Sequence, residues 1–400
     1  MSRTGVWILG ARGGVATTMI VGALALRHGL TTNTGLITST ELFEEIPLAK
    51  ADELVFGGHD VRTTPLPECA REIARATGTL APELLEKIEP DLVEIEANLR
   101  TGVLHRSGAA IEALPGIETG ARESHPKVAL ERIVADLTEF RAAHQIDRLV
   151  VVNLASTEPS VPDHPAHHSV EALEKALEEG AEDAFIASSL YAIAAARTGG
   201  AFLNFTPSPG ALFPSITTLL ETSGSPFAGS DGKTGETLVK SALAPMFRYR
   251  NLRVLSWQGY NMLGDRDGEV LAHDENRQTK IDSKDNLLHQ YLGYPLHSKV
   301  SIDYVPSLDD WKTAWDFIHF EGFLGVKMSL QFTWQGCDSI LAAPLVIDMV
   351  RLLDLALRRG DAGMQSQLAL FFKSPHGVTD HDLHQQFHAL THYLEECRKS

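Results

Sequence analysis

The sequence predicts a two-part α/β protein: a doubly wound parallel sheet, then an α+β unit built on a mixed sheet. Three observations predict it. Short, wholly apolar runs alternate with helical stretches up to about residue 240, the pattern of parallel strands buried on both faces. Longer, partly alternating runs occupy 241–344, as expected of a mixed or antiparallel sheet. Helical periodicity returns over 345–400, and this last segment is expected to fold back onto the first unit.

The elements follow in order. "TGVWILG" (4–10) reads as a strand, "ARGG" as a turn and "VATTMIVGALALRHG" as a helix ending at Gly29. Strand, glycine turn and helix open the Rossmann-like domains that present helix N-terminal amides to a pyrophosphate. Gly10, Gly13 and Gly14 supply the turn, but Arg12 and Val15 stand where a GxGxxG pattern has glycine. The turn alone therefore reads either as a dinucleotide site or as a plain tight βα turn. Further strands are predicted at 34–39, 53–58, 148–154 and 200–205, with helical stretches at 80–99, 127–144 and 169–197. The polar residues that follow these strands are Asp60, Ser156-Thr157-Glu158, Thr206-Pro207-Ser208 and Ser230-Asp231. Ligands of parallel sheets bind beyond the carboxyl ends of the strands, so these residues are expected to line one crevice, which favours the cofactor site. In the second unit "LRVLSWQGYN", "SKVSIDYVP" and "FLGVKMSLQFTW" read as long strands. Long edge strands commonly pair between subunits, so an oligomer is expected.

Composition narrows the partners. The formal net charge of −17 excludes a general nucleic-acid or anionic-membrane surface, which needs a basic footprint. Seven of the thirteen lysines nevertheless fall between Lys233 and Lys327, which reads either as a local anion site or as a solvated, lysine-dotted surface. Three cysteines without a CxxC pair point to the reducing cytoplasm, and no apolar run reaches the length of a membrane span. The histidines of "DHPAHH" (163–168) and His381, His384, His388 and His392 match no zinc spacing; they are read as surface residues and no metal is predicted.

"GSDGKTGET" (229–237) imitates an ATPase phosphate loop, but Phe227 occupies the position that needs the first glycine. Lys280 and Lys284 in "RQTKIDSKDN" would share one helix face. Either an anion lies between them, or they face solvent with Asp282 and Asp285 compensating. Together with "YNMLGDRDG", "DDWKTAWD", "CDSILAAPLVID" and "FFKSP", these motifs resemble, in order and over nearly the whole chain, those of the inositol-phosphate synthases. That family uses NAD to cyclise glucose 6-phosphate to inositol 1-phosphate, also numbered 3-phosphate.

The resemblance implies a site. It implies that Asp231 contacts the nicotinamide end and that Thr234, Gly235, Glu236 and Thr237 receive the substrate phosphate, with Lys284 assisting. It makes Lys280, Lys284, Lys312 and Lys373 the catalytic lysines, joined by Asn261 and Asp338. On the cofactor side it implies the glycine turn (Gly10, Arg12, Gly13, Gly14, Val15), Asp60, Ala155-Ser156-Thr157, Thr206, Asp265, Asp267, Asp310 and Ser339. A hexose 6-phosphate substrate, bound NAD and a cytoplasmic homotetramer complete what it implies. The chain departs from the family where Arg12 and Val15 alter the glycine loop and Glu236 replaces a glutamine. Asp265 and Arg266 replace two asparagines, and Trp311 replaces a serine. Changes around the substrate beside an intact lysine set leave a second substrate open, fructose 6-phosphate closed to a cyclopentane.

Overall fold

The computed structural model describes residues 2–113, 117, 122–123, 125–264, 288 and 291–399. The first sheet contains β1 (Thr4–Leu9), β2 (Leu54–Asp60), β3 (Leu99–Thr101), β4 (Arg148–Asn153), β5 (Ala201–Asn204), β6 (Pro226–Gly229) and β11 (Gly363–Met364). Its order is β11-β6-β5-β4-β1-β2-β3 and every pairing is parallel. The chain reverses direction across the sheet between β1 and β4, which opens a crevice at their carboxyl ends.

Helices cover both faces. The helices before the second sheet are α1 (Gly14–Arg27), α2 (Leu66–Thr77), α3 (Pro82–Glu96), α4 (Ala109–Glu112), α5 (Pro126–Ala143), α6 (Val170–Glu179), α7 (Ala187–Arg197), α8 (Pro214–Thr222) and α9 (Gly235–Tyr249). Those after it are α10 (Asp338–Arg359) and α11 (Leu383–Lys399). One core packs α1, α3, α10 and α11 on Val6, Ile8, Phe56 and Val152; the other packs α5, α7 and α8 on Trp7, Leu149, Val151 and Phe202. Alternate residues of β1 thus enter different cores, which is why the strand reads as a continuous apolar run.

The second sheet, ordered β10-β9-β7-β8, comprises β7 (Arg253–Leu263), β8 (His297–Tyr304), β9 (Trp311–Glu321) and β10 (Lys327–Cys337). It is mixed, since β7 pairs parallel with β8 and antiparallel with β9, and β9 pairs antiparallel with β10. Two predicted elements differ, and one long strand was not predicted. Residues 34–39 form a turn and a 3₁₀ segment (Ile37–Ser39), not a strand, because the Asp348 carboxylate of α10 accepts the Ile37 and Thr38 amides at 3.0 and 3.1 Å. The helical stretch 169–197 breaks at Gly180, whose φ of 69° is a left-handed helix cap. Strand β9 was not predicted: a buried aspartate, Asp316, interrupts its apolar alternation.

Gly58 of β2 lies against β1 so closely that a Cβ would run into the Ile8 carbonyl oxygen and reach 2.9 Å from the Ala11 Cβ. Backbone cannot give way there. Gly58→Ala is expected to cost about 2 kcal/mol or more, read as a lower midpoint with unchanged slope in urea denaturation.

Candidate active site

The parallel sheet, α2 and the mixed sheet enclose a cleft of about 650 Å³. On its floor, Gly10 turns with φ 83°, and a Cβ there would sit 2.9 Å from the Ala155 Cα. No side chain caps α1, so the amides of its first turn face the cleft. Asp60 at the end of β2 accepts the Arg12 amide at 2.7 Å and the Arg62 amide at 2.8 Å, which fixes the loop. The Arg12 side chain binds Glu96 at 2.6 Å and the Arg62 carbonyl at 2.8 Å.

The N-terminus of α10 meets that loop from above. A Cβ on Gly14 would lie 2.9 Å from the Ser339 Oγ. Asp310 holds the join: its carboxylate accepts the Ser339 amide at 3.0 Å and the Cys337 thiol at 2.9 Å. Burial pushes the Asp310 carboxyl above its ordinary range, with those two donors opposing the rise. Two helix N-termini converging on one strip of glycine backbone suit a pyrophosphate.

At the far end stand two lysine–aspartate pairs. The 230–234 turn bridges to Phe372 through Gly232, and the Lys373 amide donates to the Asp231 carbonyl at 2.7 Å. That pairing brings the Lys373 Nζ to 2.8 Å from the Asp231 carboxylate. Asp231 takes a φ of 63°, an uncommon backbone for a residue with a Cβ. Lys312, on β9, lies 3.5 Å from the Asp338 carboxylate at the first turn of α10. Both lysine side chains are largely buried, so each ammonium charge acts in a partly desolvated site.

One cleft therefore gathers Gly10, Arg12, Gly13, Gly14, Val15, Asp60, Ala155, Ser156, Thr157, Thr206, Asp231, Thr234, Asp310, Lys312, Asp338, Ser339 and Lys373. Lys280, Lys284, Asp265 and Asp267 lie outside the described residues. Asn261 is fully buried on β7, and Gly235, Glu236 and Thr237 are not among the cleft-lining residues. Lys233 points away from the cleft; its Nζ bonds Gln386 of α11 at 3.0 Å, and burial lowers its pKa to about 8. The reading of "DHPAHH" as surface also fails at His167, which is buried, stacks on Phe213 and bonds the Ala184 carbonyl at 2.9 Å.

Sequence reasoning missed the α2 wall of Cys69, Glu72, Ile73, Ala76 and Thr77; its only signal is the helix following Asp60. It placed Glu158 in the crevice but gave it no role. The structure buries this residue, with its carboxylate accepting the Ser188 amide at 3.1 Å and its pKa pushed up to about 7 by burial.

Glu236 resolves differently from the expectation of a carboxylate beside a phosphate. It turns into the interior and pairs with Lys240 at 2.6 Å; Lys240 also lies 3.5 Å from Asp316, which accepts the Trp257 indole N–H at 2.6 Å. Gly259 leaves the room, since its Cβ would sit 2.5 Å from Glu236 and 2.9 Å from the Lys240 Nζ. Burial would lower the Lys240 pKa, but Glu236 and Asp316 outweigh it and hold it above the ordinary value. Burial pushes Asp316 up to about 6, with Lys240 opposing and Glu236 adding to the rise. Between roughly pH 4 and 6 the folded chain keeps a proton that the unfolded chain releases, so this group's contribution to stability is lost as pH rises through that window. Lys240→Met strands both carboxylates and is expected to cost about 3–5 kcal/mol at pH 7.5. The deficit should shrink at pH 5, as the carboxylates protonate, in paired urea titrations.

Comparison with known proteins identifies the family. The family model described as myo-inositol-1-phosphate synthase matches residues 4–395. Inositol-3-phosphate synthase 1 of Bacteroides thetaiotaomicron is 35% identical over 408 residues, covering 96% of this chain and 93% of that protein. An inositol-3-phosphate synthase structure from Caenorhabditis elegans superposes with a TM-score of 0.90 at 23% identity, over 99% of this chain and 86% of the other. A myo-inositol-1-phosphate synthase-related protein from Thermotoga maritima gives 0.79 at 25% identity, over 98% of each chain. The chain belongs to the myo-inositol-1-phosphate synthase family, and is an isomerase-class enzyme that uses NAD.

Proposed function

We propose that this enzyme cyclises glucose 6-phosphate to inositol 1-phosphate (3-phosphate in the other numbering). The observation that carries the reading is the pair of lysine–aspartate contacts, Lys373–Asp231 and Lys312–Asp338, on the same cleft as the glycine turn. NAD, when bound, accepts a hydride from the sugar and returns it later. The chain's own residues manage charge and protons between those events. The first oxidation takes a proton from the C5 hydroxyl; Lys280 is assigned to that oxygen, with Asp231 continuing the proton path. The resulting ketone acidifies C6, and the enolate and aldehyde oxygens that develop as C6 closes on C1 are assigned to Lys312 and Lys373. Ammonium groups aimed at an oxyanion in a water-poor site stabilise it far more than they would in water. Thr234, at the N-cap of α9, and the amides of Gly235, Glu236 and Thr237 are assigned to the phosphate, with Lys284. Lys240 satisfies Glu236 inside the protein, so its carboxylate does not oppose that phosphate.

The test is incubation with NAD and, separately, glucose 6-phosphate or fructose 6-phosphate, followed by product analysis. A carbocyclic phosphate from glucose 6-phosphate, with no net NADH, is expected. Steady NADH accumulation would rule out cyclisation, and a product from fructose 6-phosphate alone would replace the substrate. Lys373→Ala is expected to lower turnover at least a hundredfold while NAD still binds.

The mixed sheet is assigned to assembly as a homotetramer. Its outer face exposes Tyr260 and Trp315, stacked at 5.6 Å, and the β9–β10 turn projects Phe323 (88% exposed) and Leu324 (83%). Light scattering should give four chains, and a monomer would refute the assignment.

A further inference from the structure

The mixed sheet and the cofactor-binding wall are tied together at the rim of the cleft by one side chain. Trp311 is the first residue of β9 and lies between Asp310 and Lys312, both of which line the cleft. Its backbone has little freedom. The Asp310 carboxylate is held by Ser339 and Cys337, the Asp310 carbonyl accepts the Asp338 amide at 3.1 Å, and Trp311 itself pairs with Cys337. From that fixed base the indole crosses to α2, where its Nε1–H donates to the Thr77 carbonyl at 3.2 Å.

Thr77 is the last residue of α2, the helix whose Cys69, Glu72, Ile73, Ala76 and Thr77 form the wall beyond Asp60. In a sheet of this winding, the end of the second strand is the adenosine side of a dinucleotide. Carbonyls of a helix's last turn have no partner within the helix and carry the negative end of its dipole. An indole N–H is a donor with no competing acceptor function, so it suits such a carbonyl. The bond spans 234 residues of sequence, and at 37% exposure the indole sits at the rim and not in the interior.

We propose that Trp311 is a clasp for the cofactor: by joining α2 to β9 across the adenosine end of the cleft, it slows the exchange of bound NAD. The benefit of slow exchange rests on the redox-neutral reading given above, because an enzyme that regenerates its own NAD in each turnover has no need to release it. Trp311 is a positioning residue in this account, and acts by holding two walls together.

The experiment measures dissociation of NADH, by its fluorescence, on mixing the loaded enzyme with excess NAD⁺, for the wild type, Trp311→Phe and Trp311→Ala. No sugar is present, so the result does not depend on which reaction is catalysed. Losing the hydrogen bond while keeping a ring should speed release about threefold in Trp311→Phe, and losing both about tenfold in Trp311→Ala. The KM for NAD should rise in the same order. Thermal unfolding without cofactor, measured on the same variants, separates a clasp from a merely structural link. A Trp311→Phe enzyme that releases NADH at the wild-type rate overturns the proposal, whatever its melting temperature.

Discussion

Everything at this site depends on the close approach of α10 to the glycine turn. The first turn of α10 carries Asp338 and Ser339, and Ser339 lies where a side chain on Gly14 would have to go. A residue with a Cβ at position 14 would come within 2.9 Å of the Ser339 hydroxyl and force it to turn aside. The approach is locked by Asp310, which takes the Ser339 amide and the Cys337 thiol on one carboxylate oxygen. The glycine loop and the second sheet thereby meet through Ser339 and the Asp310 carboxylate. Preorganisation of this kind lets a lysine stabilise developing charge without first moving to it.

The same economy governs charge elsewhere. An acidic chain that buries lysines must give each a partner. Lys373 has Asp231, Lys312 has Asp338, and Lys240 stands between Glu236 and Asp316. Lys233 differs, having the neutral Gln386 as its hydrogen-bond partner, and burial lowers its pKa. The first two pairs border the cleft, whereas the last two lysines are enclosed by protein. Position in the fold, more than residue type, separates the lysines that line the cleft from those that pack against the second sheet and α11.

The parallel sheet was legible in the sequence because its strands are buried on both faces, so β1, β2, β4 and β5 appear as uninterrupted apolar runs. The polar residues at their carboxyl ends followed directly. Strand β9 was not legible, since Asp316 occupies an inward position that Lys240 and Trp257 make tolerable. Residues 34–39 misled for the opposite reason: an apolar, β-branched run found its hydrogen bonds on a carboxylate more than three hundred positions away. The lysine of "GSDGKTGET" was visible but its direction was not. Gly232 packs under the Phe205 ring, its neighbour's amide donates to Phe371, and those two contacts turn Lys233 towards α11.

The unusual glycine loop can be argued on the same physical terms. A dinucleotide turn needs backbone amides at the helix start and room above them; it does not need every position to be glycine. Arg12 replaces glycine in the pattern, yet its amide still donates to Asp60 and its side chain leaves the loop sideways to Glu96. Arg62 returns the contact by donating to the Arg12 carbonyl at 2.9 Å, so the two arginines brace the loop from outside. Glycine is kept at 10, where φ is positive, and at 14, where α10 approaches. The substitution thus exchanges flexibility at position 12 for an ion pair with α3, and leaves intact the positions where a Cβ would meet the Ala155 backbone or the Ser339 hydroxyl.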